Sequence, residues 1–564
     1  MNEQINYFGE TTFRNKKQRF GIKIDDRRRH FYTIGKSGMG KTEMITNMII
    51  QDIQNGNGVC FLDPHGDAAE RVLKFIPEHR IKDTVYFDPS DLSYPIAFNV
   101  LEFVPLELRH LVASGIMGVF KKIWIDAWSA RMEYILNNCL AALLEYPDST
   151  LLGVNKMLAD KEYRKKIVDG LQDPVVKSFW MHEFAKYPDK FREEAVAPIQ
   201  NKVGQFISNP LIRNIVGQTH SSINIRQIMD EKKILILNLS KGKIGEDNSK
   251  LIGGLLITKI QQAAMSRVNV PEEQRSDFYL YVDEFQNFAT ESFASILSEA
   301  RKYHLNLILA NQYVAQLTQT SEVVRDAVFG NVGTIVTFRV GAEDAEWLEK
   351  EFAPQITAQD IVNLPKYNAY MKLLIDGVTS PAFSAQTLLP FPIPNVTYEK
   401  EILEYTRMNY GTPKESVEAK IRSWSGVTSL PTSNPPLDAF SINQEKISPN
   451  ALQLYTANCW VCDNQVNTSF KPDPKRPVFC PEHLEQSKQG IKLNLKFAPK
   501  EYLSKKSTQE PFEGLRPPEI KSKPKIKEIN GKPLSLSEAL RPRIIPPETS
   551  KKIGIMKPGD TIKL

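Results

Sequence analysis

At 564 residues the chain is too long for a single small module, and roughly 150 residues per domain leads to an expectation of three to four structural units. Hydrophobic residues make up 41 %, and the five cysteines, an odd number, exclude a secreted disulfide framework and point to a reducing compartment where cysteine packs or binds metal. Lys+Arg 72 against Asp+Glu 66 leaves a net charge of +6, too small over this length to announce a nucleic-acid binder, and no stretch approaches the ~20 apolar residues that span a bilayer. The polar stretch 1–19 lacks the apolar core of a signal peptide, so the expectation is a cytoplasmic protein.

In residues 1–104 short apolar runs (Phe31–Ile34, 59–62) alternate with helical-period segments such as 43–53, the pattern of α/β architecture. Between one such strand and helix, Gly35-Lys36-Ser37-Gly38-Met39-Gly40-Lys41-Thr42 fits G-x-x-x-x-G-K-[ST], the context a phosphate-binding loop requires. Its glycines let successive N–H groups converge on one anion, with the helix N-terminus behind them. Lys41 would reach the β/γ-phosphates of ATP, and the Thr42 hydroxyl would bind Mg²⁺. Three neighbouring features stay open. Asp63 would cap the turn before Pro64 or stand behind the ATP site, with the turn preferred. Arg27, Arg28 and Arg29 would either touch DNA or form a charged face, and no role is assigned to His65 or His110.

From 105 to 222 the pattern is all-α: Ile135, Leu136, Cys139, Leu140, Leu143 and Leu144 fall on one helical face and no strand pattern interrupts. The α/β signature returns over 223–395 with 234–237, Phe278–Val282, 305–310 and 334–338, so the two parts are expected to form one discontinuous sheet, a RecA-like P-loop ATPase core. Phe278–Val282 runs into Asp283-Glu284. At the sheet's C-terminal edge Asp283 can hold Mg²⁺ through water and Glu284 can polarise the attacking water, although an acid pair at a strand end is also a common helix N-cap. After 305–310 comes Asn311-Gln312, where Gln312 would either sense a γ-phosphate or be a surface-loop amide. Arg301 is either a solvated helix arginine or, in a ring of subunits, a residue that enters the neighbour's site and stabilises transition-state charge. Cys60, on a strand, and Cys139, on the apolar helical face, read as packed.

Residues 396–450 are expected to hold one helix and a linker: Thr412, Pro413 and Glu415 form a capping-box pattern opening a helix through Trp424, and 426–450 is rich in Ser, Thr, Asn and Pro. In 451–490, Cys459-x₂-Cys462 and Cys480-x₂-His483 with 17 residues between them suit a structural, tetrahedral Zn²⁺ in a small ribbon, its sphere closed by four protein ligands. The last stretch, 491–564, carries 17 Lys/Arg against 8 Asp/Glu and ten prolines, which reads as a disordered basic tail and leaves 1–490 slightly acidic.

Several of these segments resemble the conjugative coupling-protein branch of the HerA–FtsK superfamily of P-loop ATPases, the TraG/TraD-like proteins of type IV secretion. The resemblance lies in Asp26-Arg27-Arg28-Arg29-His30 leading into the phosphate loop, in Gly58-Val59-Cys60-Phe61-Leu62-Asp63-Pro64-His65-Gly66-Asp67, in Val282-Asp283-Glu284-Phe285-Gln286, in Ala310-Asn311-Gln312, and in Gly330-Asn331-Val332-Gly333 with Phe338-Arg339. It covers roughly 20–390 and implies a homohexameric ring in which ATP hydrolysis pumps DNA through a central channel. It also implies Glu284 as the catalytic acid, Arg301 at the trans-acting arginine position and Gln312 at the glutamine-sensor position. Members of that branch usually carry N-terminal membrane helices; none is legible here, so docking at the inner membrane would pass through a partner, with a secretion channel or a relaxase as candidates. Two other readings are an ATPase adaptor that recruits protein or nucleoprotein cargo through the zinc module and tail, and a HerA-like helicase partner in DNA-end processing.

Overall fold

A computed structural model of the chain describes residues 4–12, 17–102, 104–426, 455–468, 471–473, 476–488, 491 and 493–499. It divides into two units, 1–433 and 434–564.

The first unit is built on an 11-stranded sheet. In chain order its strands are β1 (Ile5–Thr11), β2 (Arg19–Lys23), β3 (Phe31–Ile34), β4 (Gly58–Asp63), β5 (Thr84–Phe87), β6 (Ile234–Asn238), β7 (Phe278–Val282), β8 (Leu305–Asn311), β9 (Thr334–Thr337) and β10 (Asn368–Lys372); a small separate ribbon, β11 (Leu374–Ile375) with β12 (Val378–Thr379), precedes the last, β13 (Phe383–Thr387). They stand in the order β2-β1-β13-β10-β9-β3-β8-β7-β4-β6-β5. From β9 to β5 every neighbouring pair is parallel, and these strands are buried throughout, as their unbroken apolar runs demand of a sheet covered on both faces. β8 lies between the phosphate-loop strand β3 and the acid strand β7, with Ile34 opposite Asn311 and Val282 opposite Leu309. That register brings Gly35, Gln312 and Asp283 to one edge.

The two expected α/β parts do form one sheet: β6 pairs with β5 and β4 although the all-α segment separates it from both in sequence. The antiparallel edge β2-β1-β13-β10 was not expected, because its short strands mix polar with apolar residues and show no unbroken apolar run. The helices between β5 and β6 include Arg109–Ile123, Ala130–Glu145, Asp189–Ser208 and Pro210–Val216. The predicted stripe from Ile135 to Leu144 is buried, and it belongs to one continuous apolar cluster that also takes in Phe120, Leu255, Val282 and Leu309. The insertion therefore shares its core with one face of the sheet.

Two expectations change. Arg27 is buried and does not face DNA: its guanidinium donates to both Asp52 oxygens at 2.7 Å and to the Tyr281 hydroxyl at 2.7 Å, which ties the helix after the phosphate loop to β7. The segment after 396 is packed structure as far as 426, with two helices, Glu399–Tyr410 and Lys414–Ser425. Ile402 is buried, the Thr406 hydroxyl accepts from the Tyr86 amide, and Lys156 reaches the Trp424 carbonyl. Thr412 makes no cap. Its own N–H donates to Pro95 and that of Lys414 to Ser93, so neighbouring main chain satisfies the helix start that the Thr412 hydroxyl was expected to serve. The linker expected beyond it, 427–450, lies outside the described residues.

In the second unit, β14 (Tyr455–Asn458) and β15 (Gln465–Thr468) form a hairpin followed by a helix, Pro481–Lys488. Its small core of Trp460, Val478 and Ala498 runs past the expected boundary at 490, and the Phe497 N–H donates to the Trp460 carbonyl. The rest of the expected tail, from 500, lies outside the described residues.

Candidate active site

The turn from β3 into helix Lys41–Gln54 passes through Gly38 and Gly40 at φ +75° and +118°, conformations that a side chain resists. A Cβ on Gly40 would stand 2.8 Å from the Tyr367 ring. Main chain holds the loop on three sides: Gly35 N donates to Asn311, Lys36 N to Arg339, and Tyr367 N to the Met39 carbonyl. Lys36, Ser37 and Gly38 are exposed at its tip, whereas Lys41 is buried and donates to the Gly35 and Lys36 carbonyls at 2.6 and 3.2 Å. Burial pulls the Lys41 ammonium below its usual value, against the opposing pull of Asp283 and Glu284.

Across the edge, Asp283 accepts a bond from the Thr42 hydroxyl at 2.8 Å and from the Glu284 amide at 2.9 Å. Burial pushes its carboxyl up to about 6; Glu284 and Asp63 add to the rise and Thr42 and Lys41 oppose it. A buried carboxylate that resists ionisation, beside a hydroxyl at the mouth of an anion cradle, is the donor set a hard divalent cation satisfies, so Thr42 and Asp283 fit Mg²⁺. Asn311 Oδ1, at the same edge, is a buried acceptor with no partner among the described residues. Asp63 performs the turn role expected of it, accepting from His65 N and Ala69 N at 2.9 Å each.

Glu284 adopts φ +49° and ψ +49°, left-handed values uncommon outside glycine and often found where function requires them. The Asp283 carboxylate takes its N–H, and its carbonyl accepts from Asn287 through both main chain and side chain. Its carboxylate sits between two amides: Gln312 Nε2 donates to Oε1 at 2.6 Å and Gln286 Nε2 to Oε2 at 2.5 Å. Gln286 is itself oriented by Asn311, whose Nδ2 donates to its Oε1 at 2.9 Å. Sequence reasoning marked Gln312, but gave no role to Gln286 or to Tyr367. The i, i+2 spacing of Glu284 and Gln286 after a strand was the available signal for the first; nothing local marked the second.

Lys41, Thr42, Asp283, Glu284 and Gln312 thus converge. Together they offer a phosphate cradle, a cation position and a carboxylate able to take a proton from water. Arg301 is not among them. It precedes β8 at the end opposite Gln312, about 20 Å away by strand length, and is exposed beside a pocket also lined by Arg29, Asp25 and Asp376. Cys60 and Cys139 are buried and packed, and burial holds both thiols well above their usual value.

In the second unit the ligand atoms of Cys459, Cys462, Cys480 and His483 all lie within 4.8 Å of one another. An ion bound to sulfur at tetrahedral angles separates sulfurs by about 3.8 Å. Cys462 and Cys480 are 3.8 Å apart and Cys459 Sγ is 3.7 Å from His483 Nδ1, so this donor set fits Zn²⁺. The first cysteine pair occupies the tip of the β14–β15 hairpin and the second opens the following helix, so two short elements present all four ligands.

The family described as the type IV secretion-system coupling protein DNA-binding domain matches residues 19–372. This chain belongs to that family. Among curated proteins none matches it in sequence. Among solved structures, the plasmid coupling protein TrwB in complex with ADP and Mg²⁺ is 13 % identical, with a TM-score of 0.50 over 71 % of this chain and 98 % of that one. The unbound bacterial conjugative coupling protein TrwBΔN70 gives 14 %, 0.49, 69 % and 90 %, and VirB4 of Thermoanaerobacter pseudethanolicus 13 %, 0.47, 71 % and 99 %. At these identities the first likeness is one of fold. As a coupling-protein family member the chain contains, among its described residues, no helix long and apolar enough to cross a membrane.

Proposed function

We propose that this chain is an ATP-driven DNA translocase of the conjugative coupling type, working as a homohexameric ring. The observation that carries the reading is the suspension of the Glu284 carboxylate between Gln312 and Gln286, on the same sheet edge as Lys41 and the Thr42–Asp283 pair. Membership of a coupling-protein DNA-binding family supplies the substrate class. In this reading Gly35 to Thr42 cradle the phosphates and Lys41 neutralises their charge, while Thr42 and Asp283 hold Mg²⁺, which draws charge off the phosphoryl oxygens when bound. Glu284 orients the attacking water and accepts its proton, and its two amide partners keep the carboxylate aimed. Arg301 lies too far from Glu284 of its own chain, and its exposure suits service to a neighbouring subunit's site. Zn²⁺ held by Cys459, Cys462, Cys480 and His483 folds the second unit and takes no part in hydrolysis.

The test is ATP hydrolysis with and without DNA. Lys41→Ala should abolish nucleotide binding and hydrolysis together. Glu284→Gln should retain binding and lose turnover. DNA-independent hydrolysis, or wild-type turnover in Glu284→Gln, would overturn the reading.

A further inference from the structure

The all-α insertion does more than cover the sheet. Its helix Arg109–Ile123 packs on helix Glu246–Met265 so closely that a Cβ on Gly115 would stand 2.5 Å from Thr258, and one on Gly254 2.8 Å from Val119. One glycine on each helix permits this close approach, and the last turn of Arg109–Ile123 arrives over the loop that follows Glu284.

There Lys122 Nζ donates to the Gln286 and Ala289 carbonyls, both at 2.5 Å. These carbonyls belong to the tight turn closed by Phe288 and Ala289 N–H groups on the Phe285 carbonyl. From the other side Lys241 Nζ donates to Asn287 Oδ1 at 2.9 Å, and Asn287 Nδ2 donates to the Glu284 carbonyl. Among the described residues no carboxylate lies within ion-pair reach of Lys122; the charged group felt there is Lys250, itself paired with Glu246. Burial, with Lys250 adding to it, pushes the Lys122 ammonium down to about 7. A buried amino group with no counter-ion is an expensive way to brace a loop, and an apolar side chain would pack the same space at less cost. What the ammonium supplies, and an apolar group does not, is a fixed position for the Gln286 main chain. From that main chain the Gln286 side chain reaches the Glu284 carboxylate.

We propose that Lys122 is a positioning residue for hydrolysis: it transmits the seat of the all-α insertion to Glu284 through the Gln286 main chain, so that a displacement of the insertion re-aims the catalytic carboxylate. The proposal rests on the assignment of Glu284 above. A partner or DNA segment that shifts the insertion would change turnover without touching the nucleotide.

The experiment measures ATP hydrolysis by the full chain carrying Lys122→Met, Gln286→Ala, or both. Lys122→Met should lower kcat about tenfold while KM for ATP moves less than about threefold, because the phosphate cradle is untouched. The double variant should be no slower than the slower single one, since both act on one path. Lys122→Arg, which keeps charge and donors, should retain more activity than Lys122→Met. If Lys122→Met does not fold, Lys122→Gln enters the same cycle. Effects of Lys122 and Gln286 that multiply, or a wild-type kcat in Lys122→Met, would overturn the proposal while Glu284→Gln still tests the assignment beneath it.

Discussion

Asp283→Asn sets a buried functional charge against the stability of the fold. Asp283 is 2 % exposed, and burial, with Glu284 and Asp63 adding to it, raises its carboxyl from 3.8 to about 6. An acid whose folded value is raised keeps its proton in the folded state across a range where the unfolded chain has already released it. Measured against a neutral side chain it therefore costs nothing below 3.8, the cost grows as pH rises from 3.8 toward about 6, and above that the ionised group burdens the fold in full. At about 1.4 kcal/mol per unit, the full shift corresponds to about 3 kcal/mol at pH 7.5 and about 1 kcal/mol at pH 4.5. Asparagine keeps an acceptor for the Thr42 hydroxyl and removes the charge. Without Mg²⁺ and nucleotide, Asp283→Asn should thus melt above wild type at pH 7.5, with a smaller gap at pH 4.5. Adding Mg–ATP should reverse the order, because only the wild type gains the cation. Thermal melts at the two pH values, with and without Mg–nucleotide, read all four conditions. A variant no more stable than wild type at pH 7.5, or a gap that ignores pH, would refute the claim that the carboxylate is held under electrostatic strain.

Asp52→Ala leaves Arg27 as a buried cation without its bidentate partner and should cost about 3–5 kcal/mol in denaturant unfolding; a loss under about 1 kcal/mol would show that Tyr281 alone suffices. Arg301→Ala should bind nucleotide normally yet hydrolyse it about 10³-fold more slowly, and mixing it with Glu284→Gln subunits should restore activity if the arginine serves a neighbour. No recovery in the mixture, with assembly intact, would place Arg301 outside the reaction. Elemental analysis should find close to one zinc per chain and close to none in Cys462→Ser, and a chelator should change the fluorescence of Trp460, which sits in the core beside the cluster.

Much of this site was legible before folding because its chemistry is local. The phosphate loop needs its glycines and lysine at fixed spacing, and the acid pair must follow an apolar strand directly. The cysteine pairs announce themselves by the knuckle geometry that x₂ spacing permits. What stayed hidden was either non-local or backbone-dependent. Tyr367 approaches Gly40 from 327 positions away along the chain, across the antiparallel edge. The partner of Arg27 is Asp52, and a run of three arginines before a strand gives no sign that the first turns inward. Helix Glu399–Tyr410 went unseen because few of its residues are apolar; Ile402 and Thr406 are its buried contacts.

From sequence alone, then, come the phosphate loop with its acid pair, the interrupted α/β core, the helical insert and the Cys₃His cluster, each resting on residue types at short spacings that stereochemistry makes nearly sufficient. Tertiary structure alone decides which groups meet. The order β3-β8-β7 sets Gln312 against Glu284, the turn before β8 leaves Arg301 at the other end of that strand, and packing of the insertion on helix Glu246–Met265 brings Lys122 onto the Gln286 carbonyl. Those meetings depend on strand order and helix seating, which arise from burying apolar surface across the whole unit, and no short window of sequence records them.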